Sequence, residues 1–180
     1  RVYSREEQGG DLYVIKAVTK ARTNLSGLVA LLKDANNYTS WMHAAEEARL
    51  LENHGKHRFV YYLHSDVPWP ADDRDVVVET RIKQRKDKVI VTDSRNVEGK
   101  VPEKEDITRL EYLNASWEFR PLRGKQVKIT YIGKFRPQEY VPDWLEEEIY
   151  LIAPYNTIKN MREEVRKTKY QQASLGFITN

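Results

Sequence analysis

An alternation of apolar and polar residues with period two runs through most of this chain, and it commits the chain to β-sheet before anything else is weighed. Over residues 12–21, Tyr13, Ile15, Ala17, Thr19 and Ala21 share one face, with Lys16 and Lys20 on the other. Residues 48–52 and 57–64 flank Asn53-His54-Gly55-Lys56, which has the chemistry of a hairpin turn. Residues 75–84 and 88–94 flank Arg85-Lys86-Asp87, and residues 110–122 and 126–136 flank Arg123-Gly124-Lys125. About seven or eight strands follow from this pattern, all read as antiparallel. The intervening polar stretch, 95–108, is long for a connection inside a compact domain and calls for a functional or disorder explanation.

The period changes in two places. Leu25, Leu28, Leu31 and Leu32 are at helical spacing, with Asn24 or Thr23 as N-cap, and residues 38–42 read as a second short helical piece. Near the end, Leu145, Ile149, Ile152, Tyr155, Ile158, Met161 and Val165 recur every three or four residues. Pro142 suits the first helical position, acidic residues load the first turns, and Lys159, Arg162, Arg166, Lys167 and Lys169 crowd the second half. Pro154 predicts a kink or break, and the last ten residues read as frayed. Strands, a helical pair, more strands and one long helix make an α+β protein, an antiparallel sheet with its helices on one side.

The 180 residues suit one domain, 1–180, able to bury a sizeable core. Thirty Lys and Arg against 27 Asp and Glu is too mild an excess to imply a nucleic-acid partner. The chain has no cysteine, which excludes disulfides and thiolate metal sites. No apolar run approaches a membrane span and no signal peptide is visible. Because the chain begins at Arg1, an upstream segment is expected to have been removed: if it held a signal, the protein is periplasmic or secreted, otherwise cytoplasmic.

Catalytic patterns are scarce. His43, His54, His57 and His64 are too scattered to chelate a metal, and phosphate-loop and nucleophile-elbow patterns are missing. No cofactor is expected. Asp72, Asp73 and Asp75 are explained by turn chemistry more simply than by a cation. The inward faces say more: Ile15; Phe59, Tyr61 and Leu63; Val76, Val78 and Thr80; Val89 and Val91; Ala115, Trp117 and Phe119; Val127, Ile129 and Tyr131. An apolar, aromatic set with a few hydroxyls fits a ligand pocket with sparse polar anchors, and it equally fits a filled core.

Pro68-Trp69-Pro70, a short spacer and Arg74-Asp75 before an apolar strand resemble the hallmark of START-type (steroidogenic-acute-regulatory-related) lipid-transfer domains. Trp117-Glu118-Phe119-Arg120-Pro121-Leu122 with the strand from Val127 to Tyr131 is similar to that family's penultimate hairpin. Trp144-Leu145, Pro154, Thr157 and Met161-Arg162 resemble its C-terminal helix, Val2-Tyr3-Ser4-Arg5 its first strand, and residues 25–41 its helical pair. The family's opening helix has no counterpart here, and the compact chain looks closest to stand-alone bacterial members.

The resemblance implies a helix-grip fold, a curved antiparallel sheet around a long C-terminal helix with a hydrophobic tunnel between them. It implies non-enzymatic binding, transfer or sensing of a lipid or sterol-like ligand, with transient membrane contact through the basic second half of the last helix. The implied lining is Ile15, Tyr61, Leu63, Val78, Thr80, Val91, Trp117, Phe119, Ile129 and Tyr131, roofed by Ile158, Met161 and Val165, with residues 95–108 as a rim loop. Tyr61, Thr80 and Tyr131 are the expected polar anchors, and Arg74 is expected to be structural, pairing with a carboxylate. Some sterol-binding members bury an acid and an arginine where this chain has Tyr61 and Thr80, so that ion pair does not carry over. The alternatives are an aromatase/cyclase-like enzyme on the same fold, which would need an acid or base in the cavity, and an interaction module with a filled core.

Overall fold

The computed structural model describes residues 1–6, 12–136 and 143–180, and Pro142 lies outside them. Nine strands are present among these residues: β1 (Val2–Glu6), β2 (Tyr13–Arg22), β3 (Ala45–Asn53), β4 (Arg58–Ser65), β5 (Asp73–Gln84), β6 (Ile90–Asn96), β7 (Ile107–Arg109), β8 (Leu113–Leu122) and β9 (Gln126–Phe135). Eight of them form one antiparallel sheet in the order β1-β2-β9-β8-β6-β5-β4-β3. The crossover from β2 to β9 joins the two ends of the chain, which lets the sheet curl round the terminal helix. This is the helix-grip arrangement.

The all-antiparallel expectation fails at one strand. β7 pairs with β5 in parallel, Asp73 opposite Ile107 and Asp75 opposite Arg109. It lies inside and just beyond the stretch read as loop, and the rest of that loop does not line the cavity rim. Val97 and Val101 instead pack on the outer face of the sheet, against Val60, Tyr62 and Val77. That cover explains the unbroken apolar runs Val60-Tyr61-Tyr62 and Val76-Val77-Val78: these strands are buried on both faces, where alternation is not required. One buried ion pair anchors the arrangement, with Arg109 Nε and Nη2 donating to the two oxygens of Asp75 at 2.5 and 3.0 Å. Tyr62 donates to the same carboxylate at 3.0 Å.

Helix α1 (Leu25–Lys33) is capped by Asn24, whose side chain accepts from the Gly27 N–H at 2.6 Å. A β-carbon on Gly27 would strike the Tyr170 carbonyl, so the glycine is what lets the chain's last helix approach α1. A 3₁₀ turn (Ala35–Ser40) follows, seating Tyr38 and Trp41 fully in the core. The terminal helical segment comprises α2 (Asp143–Glu147), a π-turn over Glu148–Ile152, and α3 (Ala153–Glu164), followed by α4 (Thr168–Gln171). Pro154 does not break it. A proline ring clashes with the carbonyl four residues back, and the wider π-turn immediately before α3 absorbs the misfit without leaving helical dihedrals.

Burial along α3 picks out Ile158, Met161 and Glu164, followed by Val165. The Glu164 carboxylate is satisfied there by Asn37 Nδ2 at 2.8 Å and Lys167 Nζ at 2.7 Å. The last ten residues are not frayed. Ile178 is buried, Gln84 bonds the Thr179 backbone through both of its amide atoms, and Asn180 Oδ1 accepts from the Ser26 N–H at 2.8 Å. Polar spacing hid this tail, because its hold is by side-chain amides and not by an apolar stripe.

Candidate functional site: an apolar cavity under the terminal helix

Between the sheet's concave face and the terminal helix lie two adjoining cavities of about 240 and 250 Å³, which share eight lining residues. The inner one is walled by Ile15, Tyr61, Leu63, Val78, Trp117 and Tyr131, and roofed by Ile149, Ala153, Pro154, Thr157 and Ile158. Its floor is aromatic. Tyr38 meets Tyr61 edge-on at 5.0 Å and Trp41 meets Trp117 at 6.5 Å. Trp117 also contacts Phe119 at 6.2 Å. The outer cavity opens beside the bend after β4, where Ser65, Asp66, Val67 and Ala71 face Phe135, Arg136 and Tyr150.

Seven of the residues singled out by sequence thus meet at the inner cavity: Ile15, Tyr61, Leu63, Val78, Trp117, Tyr131 and Ile158. Phe119, Ile129, Met161 and Val165 are buried in the core but do not line the cavity. Thr80 is one layer out, its hydroxyl bonded to Ser94 Oγ at 2.8 Å, and it is Ser94 that reaches the cavity. Val91 is a correction. The inward set of β6 is Ile90, Thr92 and Ser94, and Val91 sits on the other face, opposite Lys83 and Glu118. Val89 and Ile90 are both buried, so the alternation slips by one residue just after Lys88, whose φ is positive at 64°, and the parity of β6 is flipped accordingly.

Tyr131 owes its pose to Gly133: a β-carbon there would collide with the phenol ring, which crosses the bare backbone into the cavity. Burial pushes the Tyr131 phenol up to about 12. Burial likewise raises Tyr61, with Tyr131 adding to it and a hydrogen bond with Thr80 opposing it. Both phenols stay neutral at any physiological pH, so they offer hydrogen bonds and no charge.

Sequence reasoning missed the loops and the lid. Met42 and His43 from the end of the 3₁₀ segment, Leu110 and Leu113 after β7, and Arg74 at the start of β5 all reach the inner cavity. Met42, His43 and Leu110 lie outside the strands and helices, and Arg74 and Leu113 sit at the very starts of β5 and β8, where the alternation does not show which side chains line a cavity. Arg74 donates to the Asp72 and Asp73 carbonyls, and the carboxylate of its neighbour Asp75 is held by Arg109. The bend itself is pinned by Asp73, which accepts from the Val67 N–H at 3.0 Å and faces His64 Nε2 at 2.8 Å. Burial alone would raise the Asp73 carboxyl, but those two contacts hold it below its ordinary value.

Four contacts fasten the lid over the site. Tyr13 donates to Glu146 at 3.1 Å and stacks on Tyr150 at 4.2 Å between ring centres. His43 Nε2 lies 3.2 Å from Glu148, and the His43 backbone N–H donates to Thr157 Oγ1 at 3.1 Å. Two of the three consecutive glutamates therefore latch the lid, a use that a solvated helix start did not suggest.

A curved antiparallel sheet closed by a helix over an apolar, aromatic-floored cavity defines the helix-grip class of folds. The chain belongs to the START domain family, whose sequence pattern matches residues 1–170. It is 27% identical over 167 residues to an uncharacterized protein of Pseudomonas aeruginosa, covering 93% of this chain and 82% of that one. Among solved structures it resembles a STAR-related lipid transfer protein from Xanthomonas axonopodis, with a TM-score of 0.82, 25% identity, and 92% and 93% of the two chains covered. The fold alone is shared with the Zhui aromatase/cyclase of a Streptomyces species, at a TM-score of 0.56 and 15% identity over 86% and 91% of the two chains.

Proposed function

We propose that this protein binds a lipid or similar hydrophobic small molecule in the cavity under its terminal helix and carries or senses it without chemical change. The observation that carries the reading is the enclosed apolar space itself, bounded on the sheet side by Ile15, Leu63, Val78 and Trp117 and above by Ile149 and Ile158. Affinity would come from burying apolar surface, at about 25 cal/mol per Å². Neutral Tyr61, Tyr131 and Ser94 supply sparse polar contacts. The similarity to a STAR-related lipid transfer protein points the same way. The test is native mass spectrometry of protein delipidated and then exposed to mixed lipids. Retention of one apolar molecule per chain is expected, and a chain that retains none rules the reading out.

Exchange with a membrane is proposed at the lid, not at the basic half of the helix. Arg166, Lys167 and Lys169 there are ion-paired with Glu163, Glu164 and Asp34. Beside the cavity mouth, Trp69 is 87% exposed and Trp144 55%, with Leu151, Ile152 and Tyr155 also exposed on the lid's outer side. Trp and Tyr favour the membrane–water interface, and these rings flank the route by which a ligand leaves. Trp69→Ala combined with Trp144→Ala is expected to lower partitioning to phosphatidylcholine vesicles, read by co-sedimentation, by about tenfold. Unchanged sedimentation would exclude this surface.

A second reading, an aromatase/cyclase-like enzyme, has a specific observation in its favour: two side chains able to act on a bound ligand, His43 and Arg74, do line the cavity. His43 is however tied to Glu148 across the lid, a geometry that serves closure as well as it would serve proton transfer. Recovery of the retained ligand chemically unaltered separates carriage from catalysis.

A further inference from the structure

We propose that the end of the molecule opposite the lid is a docking surface for an anionic phospholipid bilayer. The inference adds a second contact to the carrier reading and does not depend on what the cavity holds.

Antiparallel pairing brings three hairpin turns to that end: residues 54–57 between β3 and β4, 85–89 between β5 and β6, and 123–125 between β8 and β9. Together they carry Lys56, Arg85, Lys86, Lys88, Arg123 and Lys125 against one acid, Asp87, and all of these residues are exposed. An open groove beside the second turn is lined by Arg58, Arg81, Lys83, Arg85 and Lys86, with no carboxylate in its lining. Arg58 and Arg81 pair with Glu79, and Arg85 with Glu118. Lys56, Lys83, Lys86 and Arg123 form no ion pair among the described residues. Lys33 donates to the Gly55 and Lys56 carbonyls at 2.6 and 3.2 Å, which fixes the first turn in place.

The lid end has the opposite sign. Asp66, Asp72, Asp73 and Asp75 in the bend, with Glu146, Glu147 and Glu148 on the lid, stand against Arg74 and Arg109. Strand β5 separates the two ends by its 12 residues, about 40 Å at ~3.3 Å each. A chain whose charge is divided in this way is oriented by an anionic plane, basic end inward. Docking of that kind holds the lid away from the bilayer and open to exchange with a second one. The cations come from separate turns, which suits a spread of lipid headgroups better than a single bound anion. The large exposed apolar side chains, Trp69, Trp144 and Tyr155 among them, are on none of these turns, so this end offers no ring platform for nucleic-acid bases.

The experiment is co-sedimentation of the delipidated protein with vesicles of phosphatidylcholine alone and of phosphatidylcholine with phosphatidylglycerol. The mixed vesicles are expected to bind about a hundredfold more tightly, from roughly fivefold for each of a few cations. That margin should vanish between ~0.1 and ~1 M salt, where the screening length falls from about 10 to about 3 Å. Lys56→Gln, Lys83→Gln, Lys86→Gln and Arg123→Gln combined should erase the margin with the melting temperature unchanged, whereas Lys56→Arg, Lys83→Arg and Lys86→Arg combined should keep it. Trp69→Ala with Trp144→Ala should leave the margin intact, and so should Val78→Trp, which fills the inner cavity; failure of docking and failure of carriage are thereby read separately. Equal binding to both vesicles overturns the inference, as does a margin that survives the four glutamine substitutions. Binding to heparin without any vesicle preference also overturns it and assigns the patch to another polyanion.

Discussion

Replacing Val78 with tryptophan is expected to weaken ligand binding by about a hundredfold while the protein still folds. Val78 is fully buried at mid-height of the inner cavity, between Tyr61 on β4 and the end of β6. The indole has space to turn into, since the cavity beside it is about 240 Å³. It would displace the equivalent of about four methylenes of ligand, roughly 3 kcal/mol at ~0.8 kcal/mol each. A shift in folding stability within about 1–3 kcal/mol marks the limit of tolerated overpacking. Ala115→Leu, on β8 across β6 and facing the same space, should act in the same direction and more weakly. The measurement is competition binding alongside thermal melting. Wild-type affinity in a folded Val78→Trp protein would mean that the ligand sits elsewhere.

Removal of the Asp75 carboxylate should produce the largest loss of stability available from a single polar side chain. Asp75 is 1% exposed and receives two hydrogen bonds from Arg109 and one from Tyr62. Asp75→Ala takes away the carboxylate that a largely buried guanidinium binds through two nitrogens and that a buried phenol donates to, a defect that costs about 3–5 kcal/mol. For a chain of this size that corresponds to a fall in melting temperature of roughly ten degrees or more. The loss should reach the site as well, because the same pair holds β7 to β5 and the next residue, Leu110, bonds the Asp75 carbonyl and lines the cavity. Calorimetry of Asp75→Ala and Asp75→Asn, with the asparagine less damaging, checks both the size and the cause.

The fold was legible because its signals are repetitive. Two-residue alternation in β2, β8 and β9 sets which side chains face inward, and the motif Pro68-Trp69-Pro70 with Arg74-Asp75 supplied the family resemblance. The site was legible only where it borrowed that repetition. Val91 went to the wrong face because a single positive-φ residue in the preceding turn shifts the start of β6, and strand parity is unforgiving of a one-residue error. Met161 and Val165 continue the stripe of Ile158, yet the cavity ends before reaching them; a periodic pattern states which face is buried, not where packing gives way to space. His43, Arg74 and Leu110 belong to segments whose positions are fixed by long-range contacts, Thr157, the β5–β7 pairing and Asp75 among them, that no local spacing encodes. Glu146 and Glu148 read as solvent-facing because a run of acids at a helix start has a sufficient local explanation.

The aromatic floor has a consequence for selectivity. A tail entering between Leu63 and Ile158 advances until it meets Trp117 and Tyr61, which are themselves backed by Trp41, Tyr38 and Phe119, all at most 2% exposed. If the proposed carrier function holds, such a stop would act as a ruler, setting the tail length that fills the space without a void at the tip. Shaving the stop at Trp117 would then move the ruler's zero and shift the preferred chain toward longer homologues.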